Sequence, residues 1–499
     1  MPRTGPSGRC EIATFTNFCC RASGSNLNAG TRTGDTTEPG TSSFKEYTSG
    51  TWVQATRTFT PAGGANPTTD GIAVGDFVSI YPDADTVTPY VARITTVGAT
   101  TFVTSATAKS GTAPVDGVVN TTARIGGAWL GPNGTSGFPF TFLSSACTNA
   151  AGDPVRINLK NDQTSSVSAA ITLASSGCTQ VWGYASTYGD GGRWVLDGGT
   201  SGAAYTVLTI SDGAGGTVQD IEVKNNGATG GSGVHGVNLS GVSGWMLRRC
   251  VIRDVRGNGL MQAKFSGPGN TVEECEFYGC NQSNTATHAA INTLFDAALT
   301  VNSCTIHDNT GSNTSGVYAA VPVFVRDTVF DSNQIGFTCV SNLCRLDNCD
   351  FYNNSSHGIQ STANQVVAKN CNFLKNGGYG FANASTIVAT VINCGFGTGT
   401  QANTSGDVQT TAKCQQVGSI TYATDVTPWT DPANGDFRIS LAAAKGTGRG
   451  TFLQTAASYA GTIAYPDVGA AQHLESAGGS GGAPCAIIIG GNHGPLVTE

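Results

Sequence analysis

Charge is the first thing this 499-residue sequence is short of: Asp, Glu, Lys and Arg make up only 12% of it, against about 25% in an ordinary soluble domain. Lys and Arg total 26 against 33 Asp and Glu, a formal net charge of −7, and no basic run occurs. Phosphate binding needs clustered cations, so a nucleic-acid partner is excluded. Long apolar runs are also missing. The longest late one, Cys485-Ala-Ile-Ile-Ile489, falls far short of the roughly 20 residues that span a bilayer, so no membrane insertion is expected. The opening Met1-Pro-Arg-Thr-Gly-Pro6 leads into Gly-Arg-Cys with no apolar core, so no secretory signal peptide is read.

What the sequence does hold is Gly, at 68 residues, and Cys, at 16. So many cysteines usually mean a disulfide framework, but that inference belongs to small secreted domains. Their spacing here points elsewhere. From about residue 217 to 400 one phrase recurs: Asp220-Ile-Glu-Val-Lys-Asn-Asn226, Arg249-Cys-Val-Ile-Arg-Asp254, Glu274-Cys-Glu-Phe-Tyr278, Ser303-Cys-Thr-Ile-His-Asp-Asn309, Asp327-Thr-Val-Phe-Asp-Ser-Asn333, Asn348-Cys-Asp-Phe-Tyr-Asn-Asn354, Asn370-Cys-Asn-Phe-Leu-Lys-Asn376 and Asn393-Cys-Gly-Phe396. Its second positions fall at 221, 250, 275, 304, 328, 349, 371 and 394, so the period runs 29, 25, 29, 24, 21, 22 and 23 residues.

Each phrase alternates apolar and polar residues, the two-residue period of a half-buried strand. The Asn that follows, as at Asn226, Asn309, Asn333, Asn354 and Asn376, is expected to supply a left-handed corner. A second strand opens at Gly236-Val, Gly259-Leu, Gly316-Val, Gly336-Phe, Gly358-Ile and Gly380-Phe, and a third, such as Val366-Val-Ala-Lys369, leads into the next phrase. Three short strands per roughly 22 residues make one coil of a parallel β-helix, with coils stacked about 4.8 Å apart.

These coils resemble the right-handed parallel β-helix, or pectate-lyase-like, superfamily, which also includes many phage tailspikes. The phrase Asp431-Pro-Ala-Asn-Gly-Asp-Phe-Arg-Ile439, with Pro466-Asp-Val-Gly-Ala-Ala-Gln472, is similar to the closing segment of such proteins. The resemblance covers residues 125–475 and implies an all-β fold; activity does not follow from fold. The expected organisation is an N-terminal arm (1–50), a small β-rich module (51–127), a parallel β-helix with capping segments (128–475), and a Gly/Ser spacer with a C-terminal strand (476–499). In the module, Val74–Tyr81, Tyr90–Ile94 and Thr101–Ser105 read as meander strands. Residues 137–146 are expected to cap the solenoid's open end.

Cys250, Cys275, Cys304, Cys349, Cys371 and Cys394 share one inward column, with Thr328 in the vacant place, beside Val223, Ile252, Phe277, Ile306, Phe330, Phe351, Phe373 and Phe396. Buried Cys behaves as a small hydrophobe, and a straight column does not present the tetrahedral ligand set of zinc. No metal and no cofactor are expected. His235, His288, His357, His473 and His493 lack ligand spacing and read as turn or surface residues.

If the cysteines point in, their neighbours point out. Glu276, Tyr278, His307, Asp331, Asp350 and Tyr352 then form a patch on adjacent coils, the carboxylates and aromatics suiting a polysaccharide. Superfamily enzymes use such a face as a substrate groove, which keeps a lyase or glycoside hydrolase open as the alternative. No polygalacturonase Asp pattern or pectate-lyase calcium-and-Arg set matches residue by residue, so no catalytic residue is assigned. The favoured reading is a structural or adhesion subunit of a virion appendage or extracellular assembly. Cys10, Cys19, Cys20 and Cys485, with the terminal strand Ile487, Ile488 and Ile489, are the candidates for self-association or contact with other structural subunits.

Overall fold

The computed structural model describes residues 16–21 and, with interruptions of up to seven residues, 43–130 and 155–441. The regular elements of the described chain are all β-strands apart from two 3-10 turns, and the chain divides into two compact units. The first comprises residues 1–165 with 172–194 and 212–217; the second comprises 166–171, 195–211 and 218–499.

In the first unit, seven strands from Lys45–Tyr47 to Thr121–Ile125 form one sheet, in which all the described pairings are antiparallel. Phe77–Pro82 and Tyr90–Val97 pair from Phe77 opposite Arg93 to Ile80 opposite Tyr90, and Phe102–Thr104 continues the meander. Trp52, Phe59, Ile80, Ile94, Phe102 and Ile125 fill a core of their own, each at most 1% exposed. The sheet begins at Lys45, inside the stretch read as the arm. Within that arm, Thr16–Arg21 also pairs in parallel with Val155–Lys160. Its Cys20 is buried, 1% exposed. This corrects the expectation that Cys20 is placed to lock a subunit contact, because a thiol packed in the interior has no access to a partner. Cys10, the side chain of Cys19, Cys485, Ile487, Ile488, Ile489, the 137–146 cap and the 476–499 tail lie outside the described residues.

The second unit is the parallel solenoid. Each coil gives one strand to each of three sheets. Over the repeated coils, the phrase supplies the strands of the first sheet from Ile221–Lys224 through Thr305–His307 to Ile420–Thr424; those of the second go from His235–Ser240 to Gly406–Val408 and those of the third from Ser243–Arg248 to Cys414–Val417, each sheet also holding earlier strands. Register follows the phrase, with Ile252 opposite Phe277, Phe277 opposite Ile306, Phe330 opposite Phe351 and Phe351 opposite Phe373. The phenyl rings of this column stack at 4.7, 5.0 and 5.4 Å between Phe330, Phe351, Phe373 and Phe396. All six column cysteines are buried free thiols. Burial pushes the thiols of Cys275, Cys349 and Cys394 well above the usual range, so they are inert packing.

Two corners turn on single left-handed residues. Between third and first strand stand Asp220, Arg249, Glu274, Ser303, Asp327, Asn348, Asn370 and Asn393, with φ from +48° to +55°. After the first strand stand Asn225, Asp254, Asp308, Ser332, Asn353 and Lys375, with φ from +52° to +56°. The left-handed residue therefore precedes the repeated Asn, correcting the sequence reading. Asn309, Asn333, Asn354, Asn376 and Asn403 instead point inward as a buried ladder, whose amides donate at 2.8, 3.2, 2.9 and 2.7 Å to the next Oδ1. The second strands open on Gly because a Cβ at Gly336 would lie 2.6 Å from both Gly358 O and the Phe351 ring.

Candidate functional site

Alternation on the first sheet puts one residue per coil in an outward row, Lys224, Arg253, Tyr278, His307, Asp331 and Tyr352, each opposite the next. Four of the six candidate site residues are thus in that row. Glu276 reaches it diagonally. Asp350 lies in the neighbouring row, opposite Asn372.

His307 is held on both sides: Nε2 lies 3.1 Å from Glu276 Oε1, and Nδ1 lies 2.8 Å from Asp308 Oδ2. Burial disfavours its charged form, but the two hydrogen bonds and carboxylate charges outweigh that and raise its pKa. The Tyr278 ring lies parallel to it, 5.0 Å away, and the Arg253 guanidinium stands over the other side of Tyr278 at 5.9 Å. Arg253 in turn pairs with Glu222 at 2.7 Å and with Asp254, and Lys224 pairs with Asp197 at 3.2 Å. Tyr278 is therefore sandwiched. It offers an edge, not the open face that a pyranose ring stacks on.

The end of the row is covered. Tyr352 is 5% exposed and meets Trp429 and Phe437 edge to face at 5.5 and 5.9 Å, in a cluster with Val329, Leu374, Tyr422 and Ile439. Tyr422, Trp429, Phe437 and Ile439 come from Ile420–Thr424 and the hairpin Trp429–Asp431/Asp436–Ile439, the hairpin being part of the segment read as closing the solenoid. Asp350 is fully buried and accepts a 2.8 Å hydrogen bond from Asn372, whose Oδ1 takes the Tyr422 hydroxyl. Asp350 and Tyr352 thus lack the exposure expected of them, because aromatic burial against the hairpin outweighs leaving that face wet.

The remaining acid is Asp331. Burial, then the Asp308 charge, push its carboxyl up to about 6, against the Ser332 hydrogen bond and the His307 charge. Asp327, at the corner beside Asn348, is likewise raised by burial to about 6. A proton-loaded acid is half of a glycosidase, but the second carboxylate must stand free to act as base or nucleophile. Glu276 and Asp308 are both engaged by His307. A doubly hydrogen-bonded imidazolium has no lone pair with which to act as a base.

Sequence reasoning foresaw the second sheet but misplaced its histidines. His235 and His288 are 7% and 8% exposed rather than surface residues, and burial depresses both pKa values, that of His235 to about 4 with the help of His288. Asn258 and Asn292 are buried beside them. The available signal was the polar residue following the inward apolar one in these strands, as at Asn238 and Asn292. His357 is half-buried, and its Nδ1 accepts the Tyr379 N–H at 3.0 Å. Among the described residues, no three of His, Cys, Asp and Glu converge as metal ligands.

None of the curated proteins matches the sequence. Among solved structures, the catalytic unit of the thermostable GH87 α-1,3-glucanase from Streptomyces thermodiastaticus strain HF3-3 aligns over 75% of this chain and 90% of its own, at 12% identity and a TM-score of 0.28. That likeness is too slight to carry any property across. The family model described as a right-handed beta helix region matches residues 235–396, the same coils whose parallel register is laid out above, and the solenoid is a right-handed parallel β-helix.

Proposed function

We propose that the protein is a non-catalytic structural or adhesion subunit of an extracellular or virion-appendage assembly, with the solenoid as its rigid body. The observation that carries this is the state of the outward row: its charged and aromatic groups are spent on one another or covered. His307 is gripped by Glu276 and Asp308, Tyr278 lies between Arg253 and His307, and Tyr352 lies under Trp429. Such cross-coil pairs fasten each coil to the next, as cross-strand pairs do in any sheet. A catalytic site would hold at least one acid and one base ready for substrate.

The test is incubation of the full chain with neutral, amino and uronic-acid polysaccharides across pH 4 to 9. Reducing ends and unsaturated products are followed. No turnover is expected with any of them. Turnover that disappears in Glu276→Gln or Asp331→Asn would establish the lyase or hydrolase instead.

A further inference from the structure

Alternation should leave the outward positions of a solvated strand polar, and the third sheet breaks that rule. Its strand Val323–Arg326 carries Phe324, 42% exposed, between the buried Val323 and Val325, and Val366–Lys369 carries Val367 in the same outward row. Register sets Phe324 opposite Arg345, and Arg345 opposite Val367. At the corner leading into the sheet, Leu343 and Val388 stand 46% and 44% exposed, one residue before Cys344 and Ala389, and Ile387 is exposed beside Val388. Val417, at the end of Cys414–Val417, is exposed as well.

Phe324, Leu343, Ile387, Val388 and Val417 are the exposed large apolar side chains of the second unit among the described residues. All five stand on the third sheet or at its leading corner. With Val367 they run over five consecutive coils. A contiguous apolar patch of this kind on a soluble protein marks an interaction surface.

What covers the face follows from its chemistry and its size. Leucine, isoleucine and valine offer a saccharide no hydrogen bond. An anionic membrane calls for a basic rim, whereas Arg345 is paired with Asp347 at 2.7 Å and Arg326 with Asp327 at 3.6 Å. Arg326, Asp347 and Lys369 lie opposite one another on successive coils and alternate in sign. A two-fold axis between the coils of Asp347 and Lys369 sets each copy's Asp347 against the other's Lys369, so the face is its own electrostatic complement. Eight strands of this sheet, from Ser243–Arg248 to Cys414–Val417, belong to the repeated coils. At about 4.8 Å per coil and about 3.3 Å per residue they present a face roughly 35 Å by 17 Å, on the order of 600 Å² before side-chain relief is counted. A stable complex buries about 800 Å² per partner, so the face has the size that a second copy needs.

We propose that the outward face of the third sheet, centred on Phe324, Leu343 and Val388, is where a second copy of this chain packs. This names a partner for the structural role and rests on that reading. The apolar side chains would be covered by their own counterparts, and the two solenoids would lie side by side, end for end.

Sedimentation velocity of the full chain at on the order of 10 µM tests the interface. The wild type is expected to sediment as a dimer. Phe324→Lys and Val388→Lys should each weaken association by about tenfold or more, because an unpaired charge would be buried in the contact. Glu276→Gln on the first sheet should leave association unchanged. Thermal melts identify any variant that fails to fold; Phe324→Ser and Val388→Thr, which change the outward side chain less, then carry the test. A monomeric wild type overturns the interface, whether residues 442–499 or a different protein covers the face. A dimer that ignores Phe324→Lys and Val388→Lys overturns it too, while leaving the structural reading standing. Polysaccharide turnover by a chain whose dimer still yields to Phe324→Lys overturns the structural reading alone.

Discussion

At the scale of single residues, two adjacent positions with nearly the same composition do opposite work. Asn353 is exposed with φ +54°, whereas Asn354 is fully buried, accepting from the Asn333 backbone and side-chain amides at 3.1 and 3.2 Å and donating to Phe330 O and Asn376 Oδ1 at 3.2 and 2.9 Å. Asn354→Ala should therefore cost about 2–4 kcal/mol in urea unfolding, because it strands the buried Asn333 donors and leaves Phe330 O and Asn376 Oδ1 without its amide. Asn353→Gly should cost less than about 0.5 kcal/mol, since glycine accepts the left-handed conformation. Equal costs at both positions would refute the assignment. The distinction was legible in the sequence: Asp308-Asn309, Ser332-Asn333 and Lys375-Asn376 keep Asn only at the second position. Corner residues need only tolerate positive φ, so they vary. A ladder rung must carry both a donor and an acceptor, so it does not.

The same scale holds the cysteine column. Cys349 and Cys371 are fully buried, and Cys349→Ala should cost about 1 kcal/mol for the small cavity left. Cys349→Asp should prevent folding, because a carboxylate would lose its water unpaired. Native protein exposed to iodoacetamide should leave both thiols unmodified until it is denatured. Rapid native labelling would mean a register one residue off.

At the scale of strands and sheets, the sequence revealed alternation but not what covers each face. The phrase Asp350-Phe-Tyr352 has the same polar–apolar–polar form as Glu276-Phe-Tyr278. One lies under a hairpin some eighty residues later in the chain, and the other does not. Coverage is a long-range property, invisible to periodicity. Burial of the first-sheet acids also has a pH consequence. Asp331, raised to about 6, is ionised above that pH at a cost the unfolded chain does not bear, so its contribution to stability improves as pH falls from about 7 towards 4. His307, raised as well, contributes stability that is complete below its unfolded value near 6.5 and lost as pH rises through its folded pKa. His235, depressed to about 4, works the other way and loses stability as pH falls from about 6.5 to 4. Asp331→Asn should accordingly melt above the wild type at pH 8, by on the order of 1 kcal/mol, with the gap closing by pH 5. A gap that widens on acidification would show that Asp331 is stabilised as the carboxylate.

At the scale of the whole molecule, a period of 21 to 29 residues was enough to give the architecture of the solenoid, because a coil buries its apolar face only against its neighbours. It was not enough to give the use of each face. Side chains that look catalytic in sequence are here the fasteners between coils. The most direct test of this account is a double-mutant cycle on Glu276 and His307, measured as unfolding free energy at pH 6 and pH 9. If the two residues are spent on each other, Glu276→Gln and His307→Ala should show a favourable coupling of about 0.5–1 kcal/mol at pH 6, fading by pH 9 as the imidazolium loses its proton. A coupling of zero at both pH values would contradict it, and would return Glu276 and His307 to the status of groups held ready for a substrate.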